Sequence, residues 1–308
     1  MDDSSKDYDI VIIGGGPAGL SAGIYTARAR MGSLLIERGM VGGQILSAEQ
    51  VENYPGFPEG ISGFDLTQFM HQQATGFGLE TVMADVTGIE VSGERKVVKT
   101  SQGDFVAKAV IIASGSERQK LDALGEAEYT GKGVSYCATC DAAFFKDKPV
   151  AVVGGGNAAI TEALELTKFA SKITVIHRRH ELRAAKILQE KAFAEPKIEF
   201  LWDAVVEEVA GKDFVGQLKV RNVKTDEESV LDVSGVFVSI GFKPNTDYLK
   251  GILTLDAIGA IVANDKMETS VPGVLAAGDI RSNSIRQVIS AAGDGATAAI
   301  YAEKYITV

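Results

Sequence analysis

A short apolar strand, a glycine-rich turn and a helix follow one another twice in this chain. In the first copy, strand 8–13 leads through the turn 14–19 into a helix and a second strand that ends at residue 36. In the second copy, strand 148–153 leads through the turn 154–159 into a helix and a strand that ends at residue 176. Each copy has the form of a βαβ unit. The duplication predicts an α/β protein with two Rossmann-like dinucleotide-binding domains.

The glycines of both turns follow the spacing G-x-G-x-x-G, with alanine in the last place of the second copy. The first glycine allows a tight turn, the second lets a pyrophosphate approach the backbone, and the third lets the helix pack closely on the strand. A single turn of this kind is also typical of ordinary strand-to-helix connections, but two in the same register favour two nucleotide sites. The residues concerned are Gly14, Gly16, Pro17, Ala18 and Gly19, and then Gly154, Gly156, Asn157 and Ala158.

The residue at the end of the second strand distinguishes the two sites. Glu37 and His177 each lie 23 positions after the first glycine of their turn. A carboxylate there accepts both hydroxyls of an adenosine ribose, so Glu37 suits a dinucleotide without a 2′-phosphate. In the second copy His177 is followed by Arg178, Arg179 and Arg183, and guanidinium groups bind phosphate oxygens bidentately. The second site is therefore predicted to prefer NADPH, the alternative being that the arginines form a solvated face.

Each copy ends in a further strand and a glycine turn. Strand 109–113 runs into Ser114, Gly115 and Ser116, and strand 234–240 runs into a turn that begins at Gly241. We expect the chain to cross between domains at 116–121 and 241–246, so that the second copy is inserted into the first. The predicted domains are 1–117, 118–245 and 246–308, the first and last forming one unit. Short alternating runs over 84–106 predict a small antiparallel sheet.

The chain contains two cysteines, Cys137 and Cys140, and three histidines. A disulfide scaffold is therefore excluded, and a zinc site is disfavoured because Cys-x-x-Cys needs further ligands. The remaining interpretations are a redox-active disulfide and a pair of small buried apolar residues. Asp141 stands next to Cys140 and can shuttle the proton as the disulfide opens. We predict the redox role and no metal.

Two further segments suit a bulky cofactor. Residues 41–60 contain Gly43, Gln44 and Asn53 in a loop that could wrap a flavin. Strand 270–279 ends in Gly278 and Asp279, ahead of an alanine-rich helix over 287–301. Asp279 is placed to hold a ribityl or phosphate chain, although a plain turn aspartate is the alternative.

Composition narrows the partners and the location. The chain has 308 residues, with 31 basic and 41 acidic ones, and a net charge of −10. That balance disfavours general affinity for nucleic acid or anionic membranes. The polar, acidic start is unlike a secretory signal, and the apolar runs fall far below the roughly 20 residues of a membrane span. A cytoplasmic protein is expected.

Together these motifs resemble the low-molecular-weight, bacterial-type thioredoxin reductases over nearly the whole chain. The resemblance implies FAD in the first domain, NADPH in the inserted domain, thioredoxin or a related small dithiol protein as substrate, and a homodimer. It places Cys140 nearest the flavin, Cys137 as the thiol that attacks the partner's disulfide, and Asp141 as the proton donor. It also implies rotation of the inserted domain between two states. Flavin contacts are implied at Asp279, Arg286 and Gln287, and further cofactor contacts are expected at Arg38, Gly43, Gln44, Asn53, Gly115 and Val288.

Some positions depart from the common pattern of these reductases. They are Ser114, Ala142, Ala158 and His180, which follows the paired arginines where an acidic residue is frequent. None of them removes a reacting group, although the lost hydroxyl at Ala158 could weaken nucleotide binding. Two other functions stay open at this point. One is an NAD(P)H oxidase, or a reductase with a different electron donor, on the same fold, and the other is a redox sensor without turnover.

Overall fold

The computed structural model describes residues 6–48, 50–136 and 138–307, with Lys6, Ser47, Thr139 and Cys140 described in their backbone only. The strands are β1 (Lys6–Ile13), β2 (Ser33–Glu37), β3 (Glu80–Met83), β4 (Val86–Ser92), β5 (Arg95–Thr100), β6 (Gly103–Ile112), β7 (Ser116–Arg118), β8 (Val134–Ser135), β9 (Pro149–Val153), β10 (Lys172–His177), β11 (Ile198–Trp202), β12 (Ala204–Gly211), β13 (Val215–Asn222), β14 (Glu228–Asp232), β15 (Gly235–Val238), β16 (Phe242–Pro244) and β17 (Val274–Ala276). The α-helices are α1 (Pro17–Arg28), α2 (Gly63–Gly76), α3 (Glu126–Tyr129), α4 (Ala138–Asp141), α5 (Asn157–Leu166), α6 (Lys186–Ala194) and α7 (Val288–Thr307). Short 3₁₀ helices cover Gly43–Ser47, Ala142–Phe145, Asp247–Leu249 and Gly278–Ile280.

The chain forms two compact units. Unit 1 consists of the chain up to Glu117 together with the chain from Lys243 onward, and unit 2 is Arg118–Phe242. Unit 2 is thus an insertion in unit 1, and the chain returns after residue 242 rather than after 245. The two connections, β7 and β16, pair with each other as a two-stranded sheet.

Unit 1 is built on one mixed sheet. Its strand order is β3-β2-β1-β6-β5-β4, with β17 pairing the second half of β6. Strands β1, β2, β3, β6 and β17 are parallel, whereas β4, β5 and β6 form an antiparallel meander. The antiparallel sheet expected over 84–106 is therefore continuous with the parallel one, because β6 is a single strand that pairs with β5 at its start and with β17 at its end.

Both faces of the unit 1 sheet are covered, which explains the uninterrupted apolar run in β1. Ile10 and Ile12 are fully buried on the face that packs against α1, α2 and α7. Val11 and Ile13 are buried on the other face, in one apolar cluster with inward-facing residues of β4 and β5 and with the segment 249–280. A strand that is buried on both faces has a continuous hydrophobic sequence rather than an alternating one.

Unit 2 repeats the arrangement on a smaller scale. Its parallel sheet has the order β11-β10-β9-β15-β8, and a separate antiparallel sheet has the order β12-β13-β14. Val150 and Val152 of β9 face the core formed with α5, whereas Ala151 and Val153 face the antiparallel sheet. The α/β class with two Rossmann-like domains is confirmed.

The two predicted helices after the glycine turns begin earlier than expected. α1 begins at Pro17 rather than at residue 20, and α5 begins at Asn157 rather than at residue 160. Proline is favoured in the first turn of a helix, because a backbone N–H at that position has no intrahelical acceptor and its absence costs no hydrogen bond. α7 extends to Thr307, past the expected end at residue 301. Within the described residues, the helices are all too short or too polar to cross a membrane.

Candidate active site

The glycine turn of unit 1 is shaped by close backbone contacts. Gly14 has a φ of +104°, and a Cβ there would lie 2.4 Å from the carbonyl oxygen of Ala113. At Gly19 a Cβ would lie 1.8 Å from the carbonyl oxygen of Gly14. α1 begins directly after Gly16, which has no side chain to cap the first N–H groups. The turn therefore leaves an open helix N-terminus that suits an anion.

Glu37 lies at the end of β2 and accepts two backbone hydrogen bonds. Its Oε2 accepts from the N–H of Gly15 at 2.6 Å, and its Oε1 accepts from the N–H of Gly39 at 3.1 Å. Both bonds orient the carboxylate beside the glycine turn. A carboxylate has about four lone-pair positions, so acceptor capacity is left for ribose hydroxyls.

A cavity of about 330 Å³ opens beside Glu37 in unit 1. Tyr248 lines it, and its hydroxyl lies 2.9 Å from the hydroxyl of Ser114. Asn245 donates from its side-chain amide to the carbonyl of Ser114 at 2.8 Å. Burial raises the pKa of Tyr248, which keeps the phenol neutral. The cavity lining is Ile13, Gly14, Ile36, Glu37, Arg38, Ala84, Asp85, Val86, Ser114, Glu117, Lys243, Asn245, Asp247 and Tyr248.

Asp279 lies in the short 3₁₀ helix after β17. Its Oδ1 accepts a hydrogen bond from the hydroxyl of Ser284 at 3.1 Å, and burial raises its pKa above the ordinary value. The preceding residue, Gly278, donates its N–H to Asp294 of α7 at 3.1 Å. Asp294 also pairs with Arg281 through two hydrogen bonds of 2.7 and 3.0 Å. This ion pair fastens the segment that carries Asp279 to α7.

Other predicted cofactor contacts of unit 1 already have protein partners. Asn53 donates to the side-chain oxygen of Gln287 at 3.0 Å, which joins the loop after β2 to the start of α7. Gln44 donates to the carbonyl of Ser116, and Arg38 forms an ion pair with Glu117. The structure thus brings the residues from 14–53 and from 278–288 into one unit, although they come from opposite ends of the chain.

The glycine turn of unit 2 has the same geometry. Gly154 donates its N–H to the last-but-one residue of β10 at 3.0 Å, as Gly14 does to β2 at 2.8 Å. Gly154 has a φ of +149°, and a Cβ there would lie 2.2 Å from the carbonyl oxygen of Ser239. The N–H groups of Arg183 and Ala184 donate to the carbonyl of Gly155 at 2.7 and 3.2 Å. The loop that carries the arginines is therefore tied to the turn.

The side chain of His177 is buried against Gly155 of the glycine turn rather than exposed to solvent. It is 5% exposed, and a Cβ on Gly155 would lie 2.4 Å from its ring. Burial, followed by the nearby charges of Arg183, Arg179 and Arg178, lowers the pKa of His177. Its Nε2 is buried without a hydrogen-bond partner among the described residues. Arg178, Arg179 and Arg183 are exposed.

The cysteine motif is described in part. Cys137 lies outside the described residues, and Cys140 falls within the backbone of α4. Asp141 ends that helix, and its Oδ2 accepts a hydrogen bond from the hydroxyl of Ser135 at 2.6 Å. Ser135 was not among the predicted site residues. The sequence indicates this residue only weakly, because a single serine two positions before the first cysteine forms no recognisable motif.

Two nested dinucleotide folds with a Cys-x-x-Cys segment in the inserted unit define a nucleotide-dependent disulfide oxidoreductase. The family model described as "Pyridine nucleotide-disulphide oxidoreductase" matches residues 8–295. A thioredoxin reductase of Peptoclostridium acidaminophilum is 48% identical over 305 residues, which cover 97% of each chain. One from Bacillus subtilis is 46% identical over 302 residues, covering 98% of this chain and 95% of the other. The crystal structure of a Streptococcus pyogenes thioredoxin reductase is 44% identical, covers 99% of both chains and has a TM-score of 0.81.

The chain belongs to the pyridine nucleotide-disulphide oxidoreductase family. The resemblance to the bacterial-type thioredoxin reductases is confirmed by these relatives. Membership makes the protein an oxidoreductase that depends on a flavin and a pyridine nucleotide.

Proposed function

We propose that this chain is a thioredoxin-disulfide reductase, which passes electrons from NADPH through bound FAD and the pair Cys137 and Cys140 to oxidised thioredoxin or a related small dithiol protein. The observation that carries the proposal is near-complete coverage by relatives named thioredoxin reductase, combined with the presence of two glycine turns and a Cys-x-x-Cys pair in this chain. In this reaction one NADPH and one proton reduce one disulfide to two thiols and leave NADP⁺.

FAD fits the residues of unit 1. The turn at Gly14 has no room for a Cβ, which keeps the turn tight, and the missing side chain at Gly16 lets the pyrophosphate approach the backbone. Glu37 holds its carboxylate beside that turn, and the cavity of about 330 Å³ next to it can take the adenine end. Asp279 and Gln287 come from the far end of the chain and are proposed to hold the ribityl chain and the ring. The flavin supplies two-electron transfer between a nicotinamide and a disulfide.

NADPH fits the residues of unit 2. The turn at Gly154 is as crowded as that at Gly14, and α5 begins directly after it. No carboxylate stands at the end of β10, where His177 is buried and three exposed arginines follow. Arg178, Arg179 and Arg183 are proposed to bind the 2′-phosphate by charge-assisted hydrogen bonds.

The proton chemistry is assigned to Asp141. When the disulfide between Cys137 and Cys140 opens, one thiolate must take up a proton, and a neighbouring carboxyl group can supply it. Ser135 donates to Asp141 Oδ2 at 2.6 Å and so orients the carboxyl group. Cys137 is proposed to attack the disulfide of the partner protein, with Cys140 as the thiol closer to the flavin.

The same resemblance supports a homodimer in the cytoplasm. The net charge of −10 supports the absence of general affinity for nucleic acid or anionic membranes. These properties are part of the proposal and can be checked by sedimentation and by cell fractionation.

The test is NADPH-driven reduction of an aromatic disulfide dye in the presence of oxidised thioredoxin. Wild-type protein should reduce the dye rapidly with thioredoxin, whereas Cys137→Ser and Cys140→Ser should each abolish electron transfer to thioredoxin. FAD content, measured after gel filtration, should be equal in all three proteins and serves as the control for folding. Rapid peroxide formation that does not depend on thioredoxin would identify an oxidase instead.

A further inference from the structure

An imidazole follows the two arginines on the loop after β10. The side chain of His180 is 75% exposed, and its Nδ1 lies 3.1 Å from Oδ2 of Asp203. The ring is therefore fixed through one nitrogen. Its other nitrogen, Nε2, makes no hydrogen bond to a described residue.

Asp203 anchors this part of the loop in two ways. Its side chain is 10% exposed, and its Oδ2 accepts from the ammonium group of Lys224 at 2.9 Å as well as facing His180. Its backbone N–H donates to the carbonyl of Arg179 at 3.4 Å. The hydrogen bond from Lys224, and to a smaller extent that from His180, hold the pKa of Asp203 below its ordinary value. A carboxylate group therefore lies next to Nδ1 of His180.

The sheet places this cluster at the nucleotide edge of unit 2. β10 and β11 are parallel, and His177 pairs in register with Trp202, the residue before Asp203. The chain leaves β10 at His177 and returns to the glycine turn where Arg183 donates to Gly155. Arg178, Arg179 and His180 consequently lie on one short loop at the carboxyl ends of the strands, where nucleotides bind in such sheets.

We propose that His180 is a further specificity-determining residue, which binds the 2′-phosphate of the nucleotide beside Arg178 and Arg179, with Asp203 as its positioning residue. The inference rests on the proposed function, because it requires a 2′-phosphorylated nucleotide in unit 2. With both ring nitrogens protonated, the imidazole donates through Nδ1 to Asp203 and through Nε2 to a phosphate oxygen. Hydrogen bonds between charged partners are among the stronger ones in proteins.

The experiment measures binding of 2′,5′-ADP and of 5′-AMP to the FAD-loaded enzyme by titration calorimetry, at one pH and low ionic strength. The two probes differ by the 2′-phosphate alone, and bound FAD blocks the site in unit 1. His180→Ala should weaken 2′,5′-ADP binding about three- to tenfold and leave 5′-AMP binding unchanged. Asp203→Asn keeps the backbone bond to Arg179 and should weaken 2′,5′-ADP binding to a smaller extent. His71→Ala, in unit 1, is the matched histidine control.

Steady-state kinetics supply a second readout. His180→Ala should raise KM for NADPH, leave KM for NADH unchanged and leave kcat unchanged, because the residue touches the nucleotide far from the reacting ring. If His180→Ala retains the wild-type ratio of affinities while Arg178→Ala lowers it, the role of His180 is overturned and the proposed function stands. If wild-type protein does not prefer 2′,5′-ADP over 5′-AMP, the proposed NADPH specificity fails together with the inference.

Discussion

Glu37 accepts a hydrogen bond from the backbone N–H of Gly15 across 2.6 Å, which joins the end of β2 to the glycine turn. The equivalent contact in unit 2 is different in kind, since the ring of His177 packs against Gly155 and carries no negative charge there. One fold thus presents a carboxylate beside one glycine turn and arginines beside the other. This difference is the structural reason for assigning FAD to unit 1 and NADPH to unit 2.

Glu37→Ala should weaken FAD binding. The variant loses the acceptor for the ribose hydroxyls and the bonds to Gly15 and Gly39, and hydrogen bonds to charged groups contribute about 1.5–3 kcal/mol each. We expect the dissociation constant for FAD to rise by about ten- to a hundredfold, measured by flavin fluorescence after dilution. Glu37→Gln retains one oxygen acceptor, so its dissociation constant for FAD should lie between those of the wild type and Glu37→Ala. The control is Glu94→Gln, which changes an exposed carboxylate in the same unit and should bind FAD as the wild type does.

Replacing Arg178 and Arg179 by alanine should remove the preference for NADPH. Two charge-assisted contacts to the 2′-phosphate correspond to about a hundredfold or more in the ratio of kcat/KM for NADPH over NADH. The ratio is measured with both nucleotides in the same dye assay. A variant with Lys168 and Lys212 replaced by alanine loses the same charge from exposed sites of unit 2 and should keep the wild-type ratio. An unchanged ratio in the arginine variant would contradict the assignment of the second site.

Much of the fold follows from local sequence, because the apolar runs are bounded by glycine turns that leave few alternatives. The strands at 8–13 and 148–153 and both glycine turns were predicted on that basis. The union of the antiparallel meander with the parallel sheet was not predicted, since it depends on β6 pairing with strands far apart in the chain. Lys108 interrupts the apolar pattern of β6 and hides its continuity.

The site residues that sequence reasoning missed depend on contacts between distant positions. Asp294 pairs with Arg281, and Asp203 with His180, across loops whose course no local pattern reveals. Ser135 is close to Asp141 in sequence, but a single hydroxyl gives no periodic signal. The glycine spacings could be recognised because a nucleotide-binding turn fixes residues that are close together in the sequence. A contact such as that between Asp203 and His180 joins two residues that are far apart in the sequence, so it leaves no local motif.

Gly241→Ala should lower turnover while leaving FAD and NADPH binding intact. Gly241 precedes the connection β16 and has a φ of +117°. A Cβ there would lie 4.0 Å from the side chain of Gln119, an ordinary van der Waals contact, so an added methyl group acts through the backbone conformation. Left-handed backbone costs an L-residue about 1–2 kcal/mol, which shifts any equilibrium that changes this torsion by roughly five- to thirtyfold. We expect at least a severalfold fall in kcat, because the predicted rotation of the inserted domain requires the connections to move.

The matched control is Gly93→Ala, at a hairpin of unit 1 with a φ of +60° and open space around it. It should lower the free energy of unfolding without altering kcat. Equal turnover in Gly241→Ala and wild-type protein would argue against rotation about this connection.

Glu162 of α5 should make the stability of the protein depend on pH. Burial raises its pKa from 4.5 to about 7, partly offset by the charge of Arg118 and a hydrogen bond from Ser239. Because the folded protein holds this proton more tightly than the unfolded chain does, the free energy of unfolding falls as the pH rises from about 4.5 to about 7. The loss is about 3 kcal/mol at higher pH.

Glu162→Gln removes this titration and should stabilise the protein above pH 7 while having little effect at the acidic end, where the wild-type carboxyl group is neutral. Denaturant unfolding at two pH values measures the difference. Glu190→Gln, an exposed change on α6, should show no such dependence. Equal stabilisation by Glu162→Gln at both pH values would show that this carboxyl group does not titrate in the range.

The electron capacity of the FAD-loaded protein tests the central proposal most directly. In an anaerobic dithionite titration followed by visible absorption, the wild-type protein should take up two electron pairs per chain, one in the flavin and one in the pair Cys137 and Cys140. Cys140→Ser should take up one pair. NADPH should bleach the flavin band, and oxidised thioredoxin should restore it. A capacity of one pair in the wild type, or a bleached band that thioredoxin leaves unchanged, would contradict the account.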